Sequence, residues 1–392
     1  MGKPAEKKRG INIVLMGFTS LINDISSEMI TPILPILLTS LGANGLVIGL
    51  LGGVRESIAS ILSIYFGKLS DRTKTRKPFV ISGYLVSGIF KLTLFISAIL
   101  SSWAGAFVSA SLEKLGKAVR NAPRDALISE SIEKGQLGKG FGFHRMMDSL
   151  GAVIGSLLTL ALIYYLKIDF QTIIMAAAVL AFASVIPLIF VKEGKVTETI
   201  KNGKKLNDER VNRLVLIISI FALGNISYMF LILKAQTLFS PDLAIVGPIA
   251  LYVLFNVFYS ILSIPFGIVA DRVGKKRTLN FGYLLMFVTM MGFVLTSSFE
   301  VYMILFILYG ASYAIIETQQ AAVISGLAKE GSKGAAIGKY YTGVGISKLI
   351  GSTFAGLIWT INPIYSFVYA SMMTILGAIL LFRFNHIPRK VQ

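Results

Sequence analysis

The sequence predicts an all-α membrane protein of 12 transmembrane helices in two pseudo-symmetric six-helix halves, both termini cytoplasmic. Three observations carry that reading. The first is composition. Of 392 residues, 54% are hydrophobic and 15% charged, where a soluble domain has about 25% charged residues. The mean hydropathy is +0.73. At about 20 apolar residues per crossing, the chain has room for roughly a dozen spans. The second is an internal repeat. Ser60 to Arg72 reads SILSIYFGKLSDR and Ser260 to Arg272 reads SILSIPFGIVADR, each followed by a basic cluster (Lys74, Arg76, Lys77; Lys275, Lys276, Arg277). A copied junction in a membrane chain points to duplicated bundles and to a secondary transporter. The third is where the positive charge falls, taken up with the loops below.

The apolar runs predict spans over 11–40, 45–69, 77–100, 103–130, 138–165 and 170–191, then 212–239, 244–270, 277–297, 300–327, 334–359 and 363–384. The stretch between the sixth and seventh is polar and lacks apolar runs. The chain therefore divides into a first half at 1–191, a cytoplasmic linker at 192–212 and a second half at 213–392. Loops after the odd-numbered spans hold almost no Lys or Arg, Lys167 excepted. Lys7, Lys8, Arg9, both basic clusters, the linker, Lys329, Lys333, Arg383, Arg389 and Lys390 fall on the other side. The positive-inside rule makes that side cytoplasmic, in a plasma or inner membrane. The repeat runs in direct order at a nearly constant offset. Asp24-Ile25-Ser26 matches Asn225-Ile226-Ser227, Ala126 to Ser129 matches Ala322 to Ser325, and Gly142 and Gly155 match Gly338 and Gly351. Parallel repeats pack about an axis along the membrane normal.

Composition also excludes. The net charge of +18 sits in short loops, so it marks topology and not nucleic-acid binding. There is no cysteine, hence no disulfide or thiol chemistry. The basic N-terminus reads as a cytoplasmic lead-in to the first span, not a cleaved signal. No P-loop motif is present, so ATP does not drive the protein directly. No nucleophile–His–acid constellation is visible, so no enzyme is expected. The expected partners are membrane lipid and a small-molecule substrate, with no nucleic acid, and the expected state is a monomer. No cofactor is expected beyond a coupling ion, a proton ahead of sodium because buried acids and a His are available.

Gly67-Lys68-Leu69-Ser70-Asp71-Arg72 and the basic residues after it resemble the signature loop between spans two and three of the major facilitator superfamily. Gly267 to Arg277 resembles the second-half echo of that loop, and is the better match. In the first copy Lys74 or Thr75 stands where Gly is usual. The run Gly116 to Leu127 resembles a prokaryotic, drug-efflux-like subset of that family. The resemblance implies alternating access, in which two halves rock around a central cavity. It also implies a cytoplasmic gate built from Gly67, Asp71, Arg72, Gly267, Asp271 and Arg272. It places Asp71 near the start of span eleven (Gly334 to Lys339) and, by pseudo-symmetry, Asp271 near the start of span five (Gly138 to Phe143). The positive end of a helix attracts a carboxylate, so such contacts would hold that face shut. A plain topogenic loop is the alternative.

Charges inside spans are costly and face a cavity or a partner. Asp24 and Glu28 are four apart on one helical face. Nearby carboxylates repel, so one of them can hold a proton and serve as the coupling site; alternatively a neighbouring Arg or Lys neutralises them. Glu113, Lys117, Arg120 and Arg124 step along one face of span four, with Lys114 off that stripe. The stripe suits an anionic ligand or pairs with the acids of span one. Arg120 is the substitute here for the arginine the family places slightly earlier. Arg124 and Asp125 lie near the cytoplasmic end and suit a gate. His144 and Asp148 are four apart and can hydrogen-bond, with His144 expected near the interface. Arg55, Glu56 and Lys91 are cavity residues or snorkelers. In the second half Asn225 and Glu317 are the chief candidates, and Lys348 or Lys339 is the expected partner of Glu317. Trp103 and Trp359 suit interface anchors. The leading function is proton-coupled efflux of a small, drug-like organic compound. An organic anion, a divalent metal held by acids such as Asp24, Glu28 and Asp148, and a non-transporting receptor are the alternatives.

Overall fold

The computed structural model describes residues 3–131, 137–193, 209–328 and 332–384, with the side chains of 3–10, 137–139 and 333 left aside. Most of the expected linker, 194–208, and the basic residues Lys329, Arg389 and Lys390 lie outside the described residues. Among the described residues every regular element is a helix. In chain order these are α1 (Lys3–Ile30), α2 (Leu34–Ser40), α3 (Gly45–Thr73), α4 (Lys77–Ile99), α5 (Trp103–Glu130), α6 (Leu137–Tyr164), α7 (Phe170–Ala183) and α8 (Ile186–Ile189). Then come α9 (Glu209–Gly224), α10 (Tyr228–Gln236), α11 (Val246–Val273), α12 (Lys275–Leu295), α13 (Phe299–Leu327), α14 (Lys333–Trp359) and α15 (Pro363–Arg383). Among the described residues, ten segments are long and apolar enough to cross a membrane. Helices α5 and α14, of 28 and 27 residues, are as long, but charge in α5 and Gly, Ser, Tyr and Lys in α14 lower their hydropathy.

Three segments read as continuous spans are broken. Helix α1 stops at Ile30 because Pro32 has no N–H to give the Glu28 carbonyl; α2 resumes at Leu34. Pro187 ends α7 in the same way, and α8 follows. The break between α9 and α10 has no proline. There Ser227 caps α10, accepting from the Met229 amide at 3.3 Å, and α3 presses against it. A Cβ added at Gly52 would overlap the Ser227 side chain. Irregular backbone at membrane depth is tolerated only where it is buried in protein or lines a cavity, which draws attention to the neighbouring Asn225.

Helix α1 packs on α6 and α7, α4 on α5 and α7, and α3 on α5. Helix α9 packs on α14 and α15, α11 on α13, and α12 on α13 and α15. The longest contacts between these two sets run along α3–α14 and α6–α11. Without a hydrophobic drive inside lipid, close approach of small residues holds helices together. Gly45, Gly49 and Gly53 recur every fourth residue on α3, and an added Cβ on any of them would strike the Trp359 ring or the α14 backbone at Ser352, Leu349 or Gly356. Toward the other end the seam loosens. A Cβ at Gly338 would meet only the Ile64 Cδ1, at 3.4 Å, and one at Gly334 would meet nothing within 4 Å.

Gly49→Val is therefore expected to lower the melting temperature of the purified protein by several degrees, since overpacking costs about 1–3 kcal/mol. Gly334→Ala is expected to be neutral. Equal melting points for Gly49→Val and the parent chain would show that the seam is not tight.

Candidate functional site

On α1, Ser20, Asp24 and Glu28 recur every fourth residue, so they line one face. That face meets α6 at its glycines. A Cβ at Gly151 would lie 3.0 Å from the Asp24 Cβ, and one at Gly155 would lie 3.0 Å from the Glu28 Cβ. Asp24 and Glu28 are half-buried. Asp24 accepts only from Asn23 Nδ2, at 3.3 Å, and among the described residues neither acid makes an ion pair. The neutralising Arg or Lys considered for them is thus not in contact. Glu28 instead accepts from the Tyr252 hydroxyl of α11 at 2.9 Å.

One turn toward the start of α6, Asp148 accepts from Ser20 Oγ at 2.5 Å and lies 3.5 Å from His144 Nδ1. The expected His144–Asp148 pairing is present. His144 is buried against protein, 4% exposed. Its Nε2 has no hydrogen-bond partner.

The charges of α5 are divided between structure and cavity. Glu113 is buried between Arg55, at 3.4 Å, and Lys114, at 3.3 Å, so Lys114, read as lying off the stripe, belongs to its ion network. Arg55 also donates to the Ala110 carbonyl at 2.8 Å. Arg120 turns to α4, donating to Ser87 Oγ at 2.9 Å with its guanidinium 4.3 Å from the Tyr84 ring centroid. It braces α5 on α4 and is no counter-ion of Asp24. Lys91 is fully buried, not snorkelling, and donates to Ser26 at 2.7 Å and Ser27 at 3.0 Å. Lys117 alone of the stripe is exposed. Arg124 pairs with Asp125 at 3.1 Å.

At the expected gate, Asp71 is 2.7 Å from Arg76, which is also 2.7 Å from Glu130. Burial disfavours the Arg76 charge, but its hydrogen bonds to Glu130 and Asp71 outweigh that and raise its pKa. Asp71 is thus held by its own loop and not by the start of α14, where Lys339 donates to Asn212 at 2.5 Å. Arg72, Asp271 and Arg272 make no ion pair among the described residues. Gly67 approaches Ala122, whereas a Cβ at Gly267 would meet nothing. The side chains of 137–139, which fall in the region expected to receive Asp271, are outside the described set.

In the second half, Asn225 Oδ1 accepts from Tyr313 at 3.3 Å. Glu317 is exposed, and Lys348, expected as its partner, pairs with Glu56 of α3 at 2.8 Å. Arg145 of α6 donates to the Tyr259 hydroxyl of α11 at 2.5 Å. Trp359 packs on Phe230, with centroids 5.0 Å apart, so it does more than anchor an interface. Tyr228, Asn256 and Tyr259 stand out in the sequence as polar residues inside spans, and the structure joins these tyrosines to Tyr252, Tyr309 and Tyr313, which the sequence reading missed, in one wall. Tyr228 and Tyr252 rings are 5.5 Å apart, Tyr252 and Phe255 5.5 Å, Phe255 and Tyr309 4.9 Å, and Tyr309 and Tyr313 4.9 Å. The signal was present: Tyr252, Asn256 and Tyr259 fall at helical spacing on one face of a span. No three acid or histidine side chains are grouped to hold a metal among the described residues.

The model of the Major Facilitator Superfamily matches residues 16–244 and 214–392. An MFS-type transporter of Methanocaldococcus jannaschii is 46% identical over 377 residues, which cover 94% of each chain. The multidrug resistance protein MdtH of Enterobacter sp. (strain 638) is 26% identical over 330 residues, 81% of this chain and 78% of that one. Among solved structures, the peptide transporter POT superposes with a TM-score of 0.79 at 14% identity, covering 94% of this chain and 93% of that one. The nucleoside transporter NupG gives 0.73 at 12% identity, covering 95% and 98%. The solved structures speak for the fold alone. With the family model matched along nearly its whole length, this multi-pass chain belongs to the major facilitator superfamily.

Proposed function

We propose that the protein is a proton-coupled secondary transporter that exports a small organic compound by alternating access of two six-helix halves, spanning a cell or inner membrane 12 times with both termini cytoplasmic. The observation that carries this is Asp24, half-buried in its span with no cation in contact. A carboxylate there without an ion pair is costly. A proton or a cationic group satisfies it, and the two compete for one place, which is what antiport needs. The α3–α14 seam supports the rocking motion: it is tight at the Gly45 end and loose toward Gly334. With the positive-inside orientation, this is a conformation open to the cytoplasm. The relative named as a multidrug resistance protein supports an exported organic substrate. Exposed Lys117, without an ion pair, favours an organic anion as the second reading.

In proteoliposomes loaded with a pH-reporting dye, adding an organic substrate from a panel of cations and anions is expected to move protons in the opposite direction. Substrate flux with no proton movement would remove the coupling; no flux for any member would remove the transporter reading.

A further inference from the structure

The place where Glu28 of α1 meets α10 and α11 combines charge, aromatic surface and an unused hydroxyl. Glu28 on α1 is held from across the α1–α11 gap by the Tyr252 hydroxyl at 2.9 Å. The Tyr252 ring meets Tyr228, at the first position of α10, with centroids 5.5 Å apart and planes at 46°. Asn256 lies one turn along the same face of α11, beside the Tyr252 hydroxyl. It is 4% exposed. The Tyr228 hydroxyl is buried and unpartnered. Buried polar groups are normally satisfied. An orphaned hydroxyl beside a carboxylate that makes no ion pair among the described residues is what an absent ligand leaves behind.

The cations near this place are mostly committed. Lys114 acts on Glu28 but is tied to Glu113 at 3.3 Å. Arg55 acts on Tyr228 but is tied to Glu113 and to the Ala110 carbonyl. Only Lys117 acts on Glu28 from an exposed position. Glu56 and Glu113 are the other acids acting on Tyr228; Glu56 is paired with Lys348, and Glu113 with Arg55 and Lys114.

We propose that Glu28, Tyr252, Tyr228 and Asn256 form a subsite for an organic cation that carries an aromatic ring. Glu28 balances the charge. The Tyr252 and Tyr228 rings offer faces to the cation and to its ring, an attraction that strengthens when water is displaced. Asn256 steadies the Tyr252 hydroxyl, and the Tyr228 hydroxyl is free to donate to an acceptor on the same molecule, which adds selectivity because it stays unpaired without one. The subsite rests on the transport reading above and names its substrate class.

The test uses the purified full chain and two ions of one shape and opposite charge, tetraphenylphosphonium and tetraphenylborate. A ligand that binds the native state raises the melting temperature by mass action. The phosphonium is expected to raise it and the borate to leave it unchanged. Glu28→Gln keeps the shape and the Tyr252 hydrogen bond, and is expected to weaken phosphonium binding by about tenfold or more. Tyr228→Leu is expected to weaken it as well, and serves if Glu28→Gln does not fold. A borate shift without a phosphonium shift would assign the cavity to anions and to Lys117, overturning the proposal. So would phosphonium binding that both variants leave unchanged. Failure here with substrate-linked proton movement intact removes the cation subsite and leaves the transporter standing. Phosphonium binding without proton movement removes the coupling and leaves the subsite.

Discussion

Asp24→Asn abolishes proton-driven export while leaving substrate exchange close to its original rate; this is the largest functional effect expected of any single substitution here. Asn has nearly the shape of Asp but cannot cycle a proton. The contact with Asn23 and the close fit against Gly151 survive, so the fold is kept. Removing a group that carries a proton through a cycle costs about a hundredfold or more. Exchange of substrate for substrate needs rocking of the bundle but no net proton transfer. The measurement is flux in proteoliposomes, once with an imposed pH gradient and once as counterflow without one. Driven export that survives in Asp24→Asn would move the coupling elsewhere, with the Ser20–Asp148–His144 group next in line. The repeat supplies a natural control. The position matching Asp24 in the second half is already Asn225, where the amide takes a hydrogen bond from Tyr313.

Glu56→Gln is expected to destabilise the protein more than Lys348→Met, because it strands the better-buried charge, and the two together less than Glu56→Gln alone. The 2.8 Å pair joins α3 to α14, beside the bond from Ser57 Oγ to the Gly345 carbonyl at 2.5 Å. Removing one partner of a buried pair strands the other charge, at a cost of about 3–5 kcal/mol, whereas replacing both by neutral groups is often nearly free. Glu56 has a side chain 33% exposed and Lys348 12%, so the effect belongs at the low end of that range. Melting temperatures of the two single variants and the double variant make the cycle. Strict additivity would show that the pair carries no coupling. The same variants report on conformation. Since the pair closes the seam, its loss is expected to raise the labelling of a cysteine placed at Ser352, and unchanged labelling would separate stability from opening.

Much of the fold was legible because its signals are local. Apolar runs of span length gave the helices, and the asymmetric Lys and Arg of the loops gave an orientation. Pro32 and Pro187 carried the signal for their breaks, since a missing N–H is a property of the residue, although both segments were read as continuous. The break at Ile226 was not announced. It depends on Gly52 of α3 bringing a second backbone against Ser227, a meeting of residues far apart in the chain.

The candidate charges were legible as well, because an ionisable residue in an apolar run stands out whatever surrounds it. Their partners were not. Helical spacing put Arg120 on a stripe with Glu113, but helix packing turned Arg120 to Ser87 and Tyr84 and left Glu113 to Arg55 and Lys114. It gave Lys348 to Glu56 and not to Glu317. It also set Tyr252 on Glu28 across two helices separated by most of the chain.

The sequence by itself determined that this chain is a helical membrane protein with a duplicated pattern and acids in its first span, since hydropathy, charge and repeats are written residue by residue. The tertiary structure decided which charges are spent on holding helices together and which, like Asp24, make no ion pair among the described residues. Ion pairing and desolvation act over a few ångströms of space, and in a bundle those ångströms are set by which helices touch.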